Sequence, residues 1–424
     1  MHIVELTDFY RPVIGGLERH VETLSRGLAG LGHTVTVVTL QTGDDPAEET
    51  LDGVRIVRIR GWSSALTTLH ADAGRPFHPT FPDPGAMTAL RRLMLAERPD
   101  VVHSHSWLQY SWFPWHRARR GPAHVVTLHD YGMACAKKTL QYSPRRPADA
   151  AGRAQPCSGP ALAKCLACAP SQYGALKGTA VAAGLRASWN LHGRADRYIA
   201  ISTAVADGCR PALPAGTEVI IIPTLVPDGL PELARRTPRP AFLPPADGYL
   251  MFVGALGRHK GVDVLLEAWQ RMRERPALVL IGTPQADTPP LGGAGVFVQH
   301  NVPSAQVMAA WAHASVAAVP SVWNEPMGQV AVEAMLAGLP VVASDVGGLR
   351  DVVANGVTGR LVPPGEPGAL ASALDLLLAD PQAGQRMGAA ARQRARRFEA
   401  AAVVPRVADV LAEAVTARVK AGAR

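Results

Sequence analysis

Two glutamates with seven residues between them, Glu325 and Glu333, stand in the stretch EPMGQVAVEAMLAGLPVVASDVGG. Carboxylates accept hydrogen bonds from hydroxyl groups, so one acid per ring would suit a ligand that carries both a ribose and a hexose. Because Pro326 is tolerated at a first helical position, a helix is predicted to begin there, and the amides of Met327 and Gly328 would form a receptor for phosphate. Without such a ligand, Glu325 would be a simple cap and Glu333 a solvated helix acid.

A positively charged residue, Lys260, lies in the glycine-rich loop FVGALGRHKG and precedes a predicted helix. Negative charge develops on a diphosphate leaving group as its bond breaks, and a fixed cation stabilises that transition state more than the ground state. Arg258 in the same loop could add a guanidinium, although a solvent-facing side chain is the simpler expectation. Gly15 and Gly16 follow the first predicted strand and would allow close approach to a phosphate, but a tight strand-to-helix turn also needs glycine.

Histidines stand at the ends of two predicted strands. His129 ends HVVTLH and could donate a hydrogen bond to a substrate hydroxyl at neutral pH. His103 and His105, in VVHSHSW, are candidates for lining an acceptor pocket. A single histidine at a strand end is more often structural, but the strand-end position favours function for His129.

Together these motifs resemble the donor site of the retaining glycosyltransferases of family 4, which have the GT-B fold and an E-x7-E motif. The resemblance implies that Glu325 meets the transferred sugar and that Glu333 meets the ribose of the nucleotide. It also makes His129 the active-site histidine that approaches the donor sugar, and it places the loop of Gly15 and Gly16 near the donor diphosphate.

The resemblance covers nearly the whole chain and includes the downstream run VGGLRDVVANGVTGRLVPPG. It departs from the family at Ala255, where members usually carry an arginine after the first glycine of the loop before Lys260. Lys260 then becomes the leading candidate for the cation at the diphosphate, and Arg258 the candidate for the missing guanidinium.

Four cysteines cluster between the strand that ends at His129 and the next helical segment, namely Cys135, Cys157, Cys165 and Cys168. Four thiols, two of them in a C-x-x-C pair, could form a tetrahedral structural zinc site. Only one close pair is present, however, and the gap between the first two cysteines is long. The remaining thiol, Cys209, is expected to be buried.

The chain of 424 residues is too long for one ordinary hydrophobic core, so two domains are expected. No run of about 18 apolar residues could span a bilayer. Glu5 and Asp8 interrupt the apolar stretch that a signal peptide needs, so a cytoplasmic protein is expected. A net charge of +8 attracts anions, whether nucleotide diphosphates, an anionic membrane face or nucleic acid.

The basic residues form small clusters rather than one continuous basic surface with interspersed aromatic residues, so no nucleic-acid partner is expected. Solvated helix faces are the simplest interpretation, although a patch could help dock a peripheral membrane acceptor. The clusters are Arg91 and Arg92, Arg117 to Arg120, Lys137 and Lys138, and Arg394 to Arg397.

Short apolar strands alternate with amphipathic helical segments, which predicts an α/β protein with two Rossmann-like, doubly wound domains facing a central cleft. The predicted strands are HIVEL, TVTVVTL, GVRIVRI, DVVHSH, HVVTLH, RYIAIS, EVIIIP, YLMFVG, ALVLIG, VFVQH, SVAAVP, PVVAS and GRLV. The predicted parts are an acceptor-binding domain 1–225 with a cysteine-containing insertion at about 131–175, a linker 226–248, a donor-binding domain 249–397, and a helix 398–424 that crosses back to the first domain.

The function that the resemblance implies is transfer of a sugar, with retention, from a nucleotide diphosphate sugar to a hydroxyl of a glycan, lipid-linked or small natural-product acceptor. UDP- or GDP-sugars are the expected donors, and no catalytic metal is expected. We favour a front-face route in which the leaving phosphate accepts the acceptor's proton, because no dedicated nucleophile other than Glu325 is evident. A sugar-nucleotide epimerase, a phosphorylase, and a noncatalytic metal-stabilised scaffold remain as alternatives.

Overall fold

The computed structural model describes residues 1–13, 15–65, 78–116, 121–143 and 155–422. Its strands are β1 His2–Leu6, β2 Thr34–Leu40, β3 Glu48–Leu51, β4 Val54–Ile59, β5 Val101–Ser104, β6 Ala123–Leu128, β7 Gln141–Tyr142, β8 Gln155–Pro156, β9 Arg197–Ala200, β10 Val219–Ile221, β11 Tyr249–Val253, β12 Leu278–Ile281, β13 Val296–Gln299, β14 Ala314–Val319, β15 Val341–Ser344 and β16 Gly359–Val362. Its helices are α1 Gly16–Gly30, α2 Pro84–Glu97, α3 Gln109–Trp112, α4 Leu162–Cys168, α5 Pro170–Tyr173, α6 Ala175–Ala187, α7 Thr203–Cys209, α8 Leu230–Arg236, α9 Val262–Arg271, α10 Ser304–Trp311, α11 Gln329–Leu336, α12 Leu349–Val352, α13 Pro367–Ala379, α14 Pro381–Ala395 and α15 Ala400–Gly422.

The chain divides into two compact units. The first unit contains Met1–Leu225 together with Ala400–Arg424, and the second contains Val226–Glu399. Two parts of the sequence predictions, the basic run Arg117 to Arg120 and residues 144–154 of the cysteine-containing insertion, lie outside the described residues. None of the described helices is long and apolar enough to cross a bilayer.

The first unit is built on an eight-stranded sheet in the order β10-β9-β6-β5-β1-β2-β4-β3. All neighbours are parallel except β3, which pairs antiparallel with β4 at one edge. The central strands are rich in valine and isoleucine and are buried, as expected for a parallel sheet covered on both faces. The strand order reverses between β1 and β5, so the loops that follow these two strands border a crevice at the carboxyl edge of the sheet.

Helices α1 and α15 cover one face of this sheet, and α2 covers the other. The apolar stripe of α1 packs with Val403, Val407 and Leu411 of α15. The two helices approach closely at Gly27, where a Cβ would lie 2.6 Å from a methyl group of Val404. The last helix of the chain is therefore part of the hydrophobic core of the first unit.

The second unit is built on a six-stranded, fully parallel sheet in the order β13-β12-β11-β14-β15-β16. Counted within the unit, this order is 3-2-1-4-5-6, which is the doubly wound arrangement of dinucleotide-binding domains. The strand order reverses between β11 and β14. The loops after these two strands therefore flank the position at which such sheets bind ligands.

The predicted α/β fold with two doubly wound units is confirmed, and each of the 13 predicted strand sequences overlaps a strand of the structure. The sequence reasoning missed β3 and the β7–β8 hairpin, because their short polar strands have no apolar pattern. The segment predicted as a linker, 226–248, differs from the structure. It belongs to the second unit, where the seven-residue helix α8 buries Leu230 and Ala234 and contacts α10. A helix of two turns with a proline in its first turn shows too little periodicity to be detected.

Candidate functional site

The predicted donor-site residues of the second unit come from the two loops at the point where its strand order reverses. Lys260 lies in a single 3₁₀ turn, Arg258–Lys260, in the loop between β11 and α9. Glu325 lies in the loop between β14 and α11. Because β11 and β14 are adjacent and parallel, both loops emerge at the same edge of the sheet. Residues 65 positions apart in sequence are thereby brought into contact.

Lys260 and Glu325 form an ion pair with two hydrogen bonds. The Lys260 Nζ lies 2.8 Å from Oε1 and 2.7 Å from Oε2 of Glu325. The Oε2 atom also accepts hydrogen bonds from the Ser321 hydroxyl at 2.9 Å and from the Trp323 indole N–H at 3.0 Å. The carboxylate is therefore held by three donor groups, and Oε1 keeps room for another hydroxyl donor.

The electrostatic environment keeps Glu325 ionised. Burial by itself would raise the pKa of Glu325, but the Lys260 ammonium and the hydrogen bonds from Ser321 and Trp323 hold this pKa below its usual range. Burial, reinforced by the nearby Lys260 charge, lowers the pKa of His259. At neutral pH the site thus combines one carboxylate and one ammonium with a neutral imidazole.

Glycine residues shape the backbone around Glu325. Gly328 has a φ of 88°, in the left-handed region, and a Cβ there would lie 2.4 Å from the Leu349 side chain. Gly347 has a φ of 52°, and a Cβ on it would lie 2.2 Å from the Glu325 carbonyl oxygen. The carbonyl of Glu325 also accepts a hydrogen bond from the Gly348 N–H at 2.7 Å.

The predicted helix start at Pro326 is wrong. Helix α11 begins at Gln329, because the left-handed Gly328 cannot continue a right-handed helix. Met327 is buried and, with Gly328, forms the turn that leads into α11. The Ala331 N–H bonds the Gly328 carbonyl at 2.9 Å, which leaves the amides of the first two helical residues, Gln329 and Val330, as candidate phosphate donors.

The other donor-site candidates of the second unit differ in their placement. Glu333 lies on α11 and is partly buried. Arg258 is exposed; its guanidinium lies 3.9 Å from Asp263, and its backbone N–H hydrogen-bonds Asp287. It does not join the Lys260–Glu325 pair. The position of the missing family arginine, Ala255, is partly buried.

In the first unit, His129 follows β6 and lies beside other histidines. Its Nε2 lies 2.9 Å from Nδ1 of His105, whose Nε2 forms a short hydrogen bond with the buried Glu5 carboxylate of β1. The ring of His20 from α1 packs edge-on against His129, with ring centroids 4.6 Å apart. Burial, reinforced by the neighbouring His20, His105 and His103, lowers the pKa of His129 well below its usual range. His129 is therefore neutral at pH 7.

The predicted acceptor role of His103 does not fit its position. Its side chain is fully buried, its Nδ1 lies 3.1 Å from a Glu5 oxygen, and its Nε2 lies 2.7 Å from the Thr127 hydroxyl. Both ring nitrogens are therefore occupied within the sheet. His105 is also buried, but together with His129 it borders a small cavity of about 20 Å³.

This cavity contains polar groups suited to hydroxyl recognition. Besides His105 and His129, it is lined by Asp130, Lys138 and Gln109. Within the described part of the chain, the buried Oε1 of Gln109 has no hydrogen-bond partner. The Lys138 ammonium lies 3.6 Å from Asp130. A ligand that donates a hydrogen bond would satisfy the Gln109 oxygen.

The glycine pair of the first unit lies at the start of helix α1, for which Gly15 is the N-cap. A Cβ on Gly15 would lie 2.2 Å from the carboxylate of Glu18. An acidic side chain therefore occupies the space beside this helix start, and a phosphate bound there would have to displace it. Gly16 is the first residue of the helix.

The four cysteines predicted as zinc ligands do not form a closed site. Cys135, Cys157, Cys165 and Cys168 are free thiols, as is the buried Cys209. Among the described residues, no three cysteine sulfurs lie within 4.8 Å of one another. The Sγ atoms of Cys157 and Cys168 contact backbone carbonyls instead. Although the thiols suit zinc chemically, their arrangement does not fit a tetrahedral centre, and no step proposed below uses one.

Several residues that build the two sites were missed in the sequence. Ser321 and Trp323 precede Glu325 at two-residue steps, a spacing that places extended residues on one face. Glu5 is an acid within a buried apolar strand, which is itself a signal of a specific partner. His20 lies on the apolar stripe of α1, so its position in the sequence pattern indicates only an ordinary core residue.

Comparisons with known proteins identify relatives along both units. Residues 235–394 match the family described as Glycosyl transferases group 1, and residues 14–230 match Glycosyltransferase Family 4. The chain is similar to a glycogen synthase of Mycobacterium tuberculosis, with 30% identity over 429 residues that cover 93% of this chain and 90% of that protein. It is also similar to a D-inositol 3-phosphate glycosyltransferase of Xylanimonas cellulosilytica, with 31% identity over 431 residues that cover 95% and 93% of the two proteins.

Solved structures share the fold. The structure of Anabaena Alr3699/HepE in complex with UDP and glucose superimposes with a TM-score of 0.66 at 18% identity, covering 97% of this chain and 100% of that chain. Both halves of the chain thus match families of glycosyltransferases, and full-length relatives transfer sugars. The chain belongs to the glycosyltransferases of group 1 and family 4, and it is a hexosyltransferase with the GT-B fold.

Proposed function

We propose that the protein transfers a hexose from a nucleotide diphosphate sugar to a hydroxyl group, with retention of the anomeric configuration. The observation that carries this proposal is the Lys260–Glu325 ion pair, which lies where the strand order of the second unit reverses. Parallel sheets of this order bind nucleotides at that position. A cation and a carboxylate held there match the two parts of a sugar nucleotide, its diphosphate and its sugar hydroxyls.

Lys260 is assigned to the leaving diphosphate. When the anomeric bond breaks, the negative charge on the leaving group grows, and the ammonium stabilises it more than it stabilises the bound donor. When Lys260 turns from Glu325 towards phosphate, the carboxylate keeps its hydrogen bonds from Ser321 and Trp323. The acid therefore stays in position during the reaction.

Glu325 is assigned to hydrogen bonds with the hydroxyls of the transferred sugar, and Glu333 to the ribose. The depressed pKa of Glu325 and its three donor groups make its oxygens poor nucleophiles. This favours the front-face route over a double displacement through Glu325. In the front-face route the departing phosphate oxygen takes the proton of the acceptor hydroxyl, which attacks from the same side. No catalytic metal is needed when Lys260 and helix amides neutralise the phosphate.

In the first unit, His129 is assigned to a hydroxyl of the donor sugar. The small adjoining cavity with Gln109 and Asp130 is assigned to one hydroxyl of the acceptor. The relatives named for glycogen and for D-inositol 3-phosphate both act on polyhydroxylated acceptors. We therefore expect an acceptor that is a sugar, a cyclic polyol or a glycan, including lipid-linked forms. The UDP and glucose bound to the Anabaena protein favour a UDP-hexose as the first donor to test.

A donor screen tests the proposal. The purified protein is incubated with UDP-, GDP- and ADP-hexoses, each with and without a panel of glucosides, inositol and inositol phosphate, and release of nucleoside diphosphate is followed. We expect release that depends on the acceptor, together with a product of the same anomeric configuration as the donor by proton NMR. An inverted product would contradict retention. Epimerised donor or consumption of inorganic phosphate in place of acceptor would contradict transfer and favour the epimerase or phosphorylase alternative.

A further inference from the structure

A chain of hydrogen bonds leads from a buried carboxylate to His129. Glu5 lies in β1, at the centre of the sheet of the first unit, and is fully buried. Its carboxylate bonds Nε2 of His105, and Nδ1 of His105 lies 2.9 Å from Nε2 of His129. Nδ1 of His103 approaches the same carboxylate at 3.1 Å. The donor-sugar histidine is thus connected to an acid that no substrate can reach.

The direction of each hydrogen bond follows from the protonation states. Burial tends to raise the pKa of Glu5, but the two histidines lower it to about 2, so the carboxylate only accepts. Burial, together with the nearby His103, lowers the pKa of His105 to about 4, so this imidazole is neutral and carries one proton. That proton must lie on Nε2, where it is donated to Glu5.

The same logic fixes the tautomer of His129. With its proton on Nε2, His105 has a lone pair on Nδ1 and can only accept there. His129 is neutral, so it must donate from its own Nε2–H, and its Nδ1 carries a lone pair. Within the described part of the chain, this Nδ1 has no hydrogen-bond partner.

A second contact fixes the ring of His129 in place. Nδ1 of His20 lies 2.9 Å from the Thr224 hydroxyl and accepts from the Leu225 N–H at 3.4 Å. Because a backbone N–H only donates, the single proton of neutral His20 lies on Nε2. The imidazole of His20 packs edge-on against His129, with an angle of 72° between the ring planes. The ring of His129 is therefore restrained both by packing and by its hydrogen bond.

We propose that Glu5 and His105 are positioning residues that hold His129 in the Nε2–H tautomer, so that its Nδ1 accepts a hydrogen bond from a substrate hydroxyl. The inference rests on the proposed function for the identity of the substrate. It reverses the sequence-based expectation that His129 donates to that hydroxyl. A carboxylate that orients a histidine through one ring nitrogen, and leaves the other for chemistry, is a known device for fixing imidazole tautomers.

Nitrogen NMR of the ¹⁵N-histidine-labelled full chain tests the tautomer without any turnover. The His129 resonances are identified by their loss in His129→Gln. We expect the wild-type protein at pH 7 to show a protonated Nε2 and an unprotonated Nδ1 for His129. A protonated Nδ1 would overturn the inference whether or not the enzyme transfers sugar.

Two variants test the positioning role. Glu5→Gln replaces the carboxylate by an amide that can also donate, and His105→Phe removes the acceptor for the His129 Nε2–H. Both should shift His129 towards a mixture of tautomers and lower kcat about tenfold, less than the loss expected from removing His129, with the donor KM within about threefold, because only molecules with the correct tautomer react at the full rate. An unchanged tautomer in both variants would contradict the role of Glu5 and His105.

Ser104→Ala is the matched control. It removes another buried hydrogen bond of the strand that precedes His105, between Ser104 and His124 at 2.8 Å, and the Ser104 side chain takes no part in the hydrogen bonds from Glu5 to His129. We expect it to leave the His129 tautomer and kcat unchanged. A kcat loss in Ser104→Ala equal to that of Glu5→Gln would make the effect merely structural and contradict the inference. If a Glu5 or His105 variant fails to fold, the wild-type spectrum decides.

Discussion

The two units are built on similar doubly wound sheets but place their charged groups differently. In the second unit, Lys260 and Glu325 form a partly accessible ion pair on two loops. In the first unit, Glu5 lies inside the sheet and is surrounded by histidines, among which His20, His105 and His129 are held neutral by burial. The difference teaches that one type of sheet can supply two kinds of group. It can supply an accessible charged side chain where negative charge develops on the leaving group, and a fixed, neutral imidazole where no charge develops.

The energetic consequences of the two arrangements also differ. An ion pair that can open towards a ligand loses little by exchanging one partner for another, so Lys260 can leave Glu325 for a phosphate. A fully buried carboxylate depends on every hydrogen bond that it receives, because no water can replace a lost one. We therefore expect substitutions in the second unit to act mainly on catalysis and those in the first unit to act on both stability and catalysis.

The largest effect is expected from breaking the ion pair. Lys260→Ala and Glu325→Ala should each lower kcat/KM about 10²–10³-fold, the loss typical of removing one group that stabilises developing charge. Because the two residues contact different parts of the donor but pair with each other in the absence of ligand, the double variant should lose less than the product of the two single losses. Steady-state kinetics of the wild type, the two single variants and the double variant measures this coupling. Fully multiplicative losses would contradict the coupling of Lys260 to Glu325.

A smaller loss is expected from His129→Ala. Removing one hydrogen bond to the donor sugar should lower kcat about 10²-fold while the protein stays folded. The measurement is kcat at saturating donor and acceptor, with near-UV circular dichroism as the control for folding. An effect confined to the KM of the acceptor would place His129 outside the reacting sugar.

Acid should weaken the first unit before the second. The pKa values of His20, at about 3, and of His105, at about 4, lie below the unfolded value of about 6.5. The unfolded chain therefore takes up protons first as the pH falls, and each such histidine lowers the free energy of unfolding by on the order of 1–2 kcal/mol between pH 7 and pH 5. The depressed pKa of Glu325 acts differently, because its stabilisation persists above about 4.5 and is lost only below that pH.

Hydrogen exchange measured by mass spectrometry at pH 7 and pH 5, corrected for intrinsic rates, resolves the two units in one experiment. We expect the strands β1, β5 and β6 to lose protection at pH 5 more than β11 and β14. In the second unit, burial lowers the pKa of His259, which adds a smaller loss. Equal losses of protection in both units would contradict the expectation that acid weakens the first unit more than the second.

Trp323→Phe is expected to have a modest effect. It removes the indole N–H that donates to Glu325 but keeps a ring beside the Lys260 ammonium, which lies 5.4 Å from the Trp323 ring centroid. The loss of one hydrogen bond of about 1 kcal/mol should lower kcat about fivefold. Ser321→Ala should behave similarly. A loss as large as that of Glu325→Ala would mean that the indole itself contacts the reacting groups.

The smallest effect is expected from Arg258→Ala. Arg258 is exposed and pairs at long range with Asp263, so kcat/KM should stay within about threefold of wild type. Steady-state kinetics with the preferred donor measures it. A loss of 10²-fold or more would show that Arg258 takes the place of the arginine missing at Ala255.

Much of the fold and the core of the donor site could be predicted from the sequence. Strand periodicity located every strand of the two large sheets except the polar edge strand β3. Glycine-rich loops after apolar strands indicated where Lys260 and Glu325 would lie, because loops after adjacent parallel strands share one edge. The exact start of α11 was missed, since the backbone angle of Gly328 depends on the Leu349 side chain packed against it.

The histidine network and the cysteines could not be predicted in the same way. Strand alternation cannot tell whether His103 faces a pocket or a buried partner. The partner, Glu5, lies opposite His103 on the neighbouring strand, and only the register of the sheet reveals this pairing. The close spacing of Cys165 and Cys168 suggested a metal, but α4 places them one turn apart on a helix. Contacts between distant segments decide these positions, and no local pattern encodes them.

The most direct test of the central claim is a single-turnover measurement of Lys260→Ala with saturating donor and acceptor, against Arg271→Ala as the matched control. Arg271 is an exposed cation of α9 that pairs with Glu267 and is remote from Glu325 in the contacts of the structure. We predict that the rate of nucleoside diphosphate release falls at least about 100-fold in Lys260→Ala, while nucleotide still binds and Arg271→Ala keeps the wild-type rate. A Lys260→Ala rate within about threefold of wild type would contradict the assignment of this ion pair to sugar transfer.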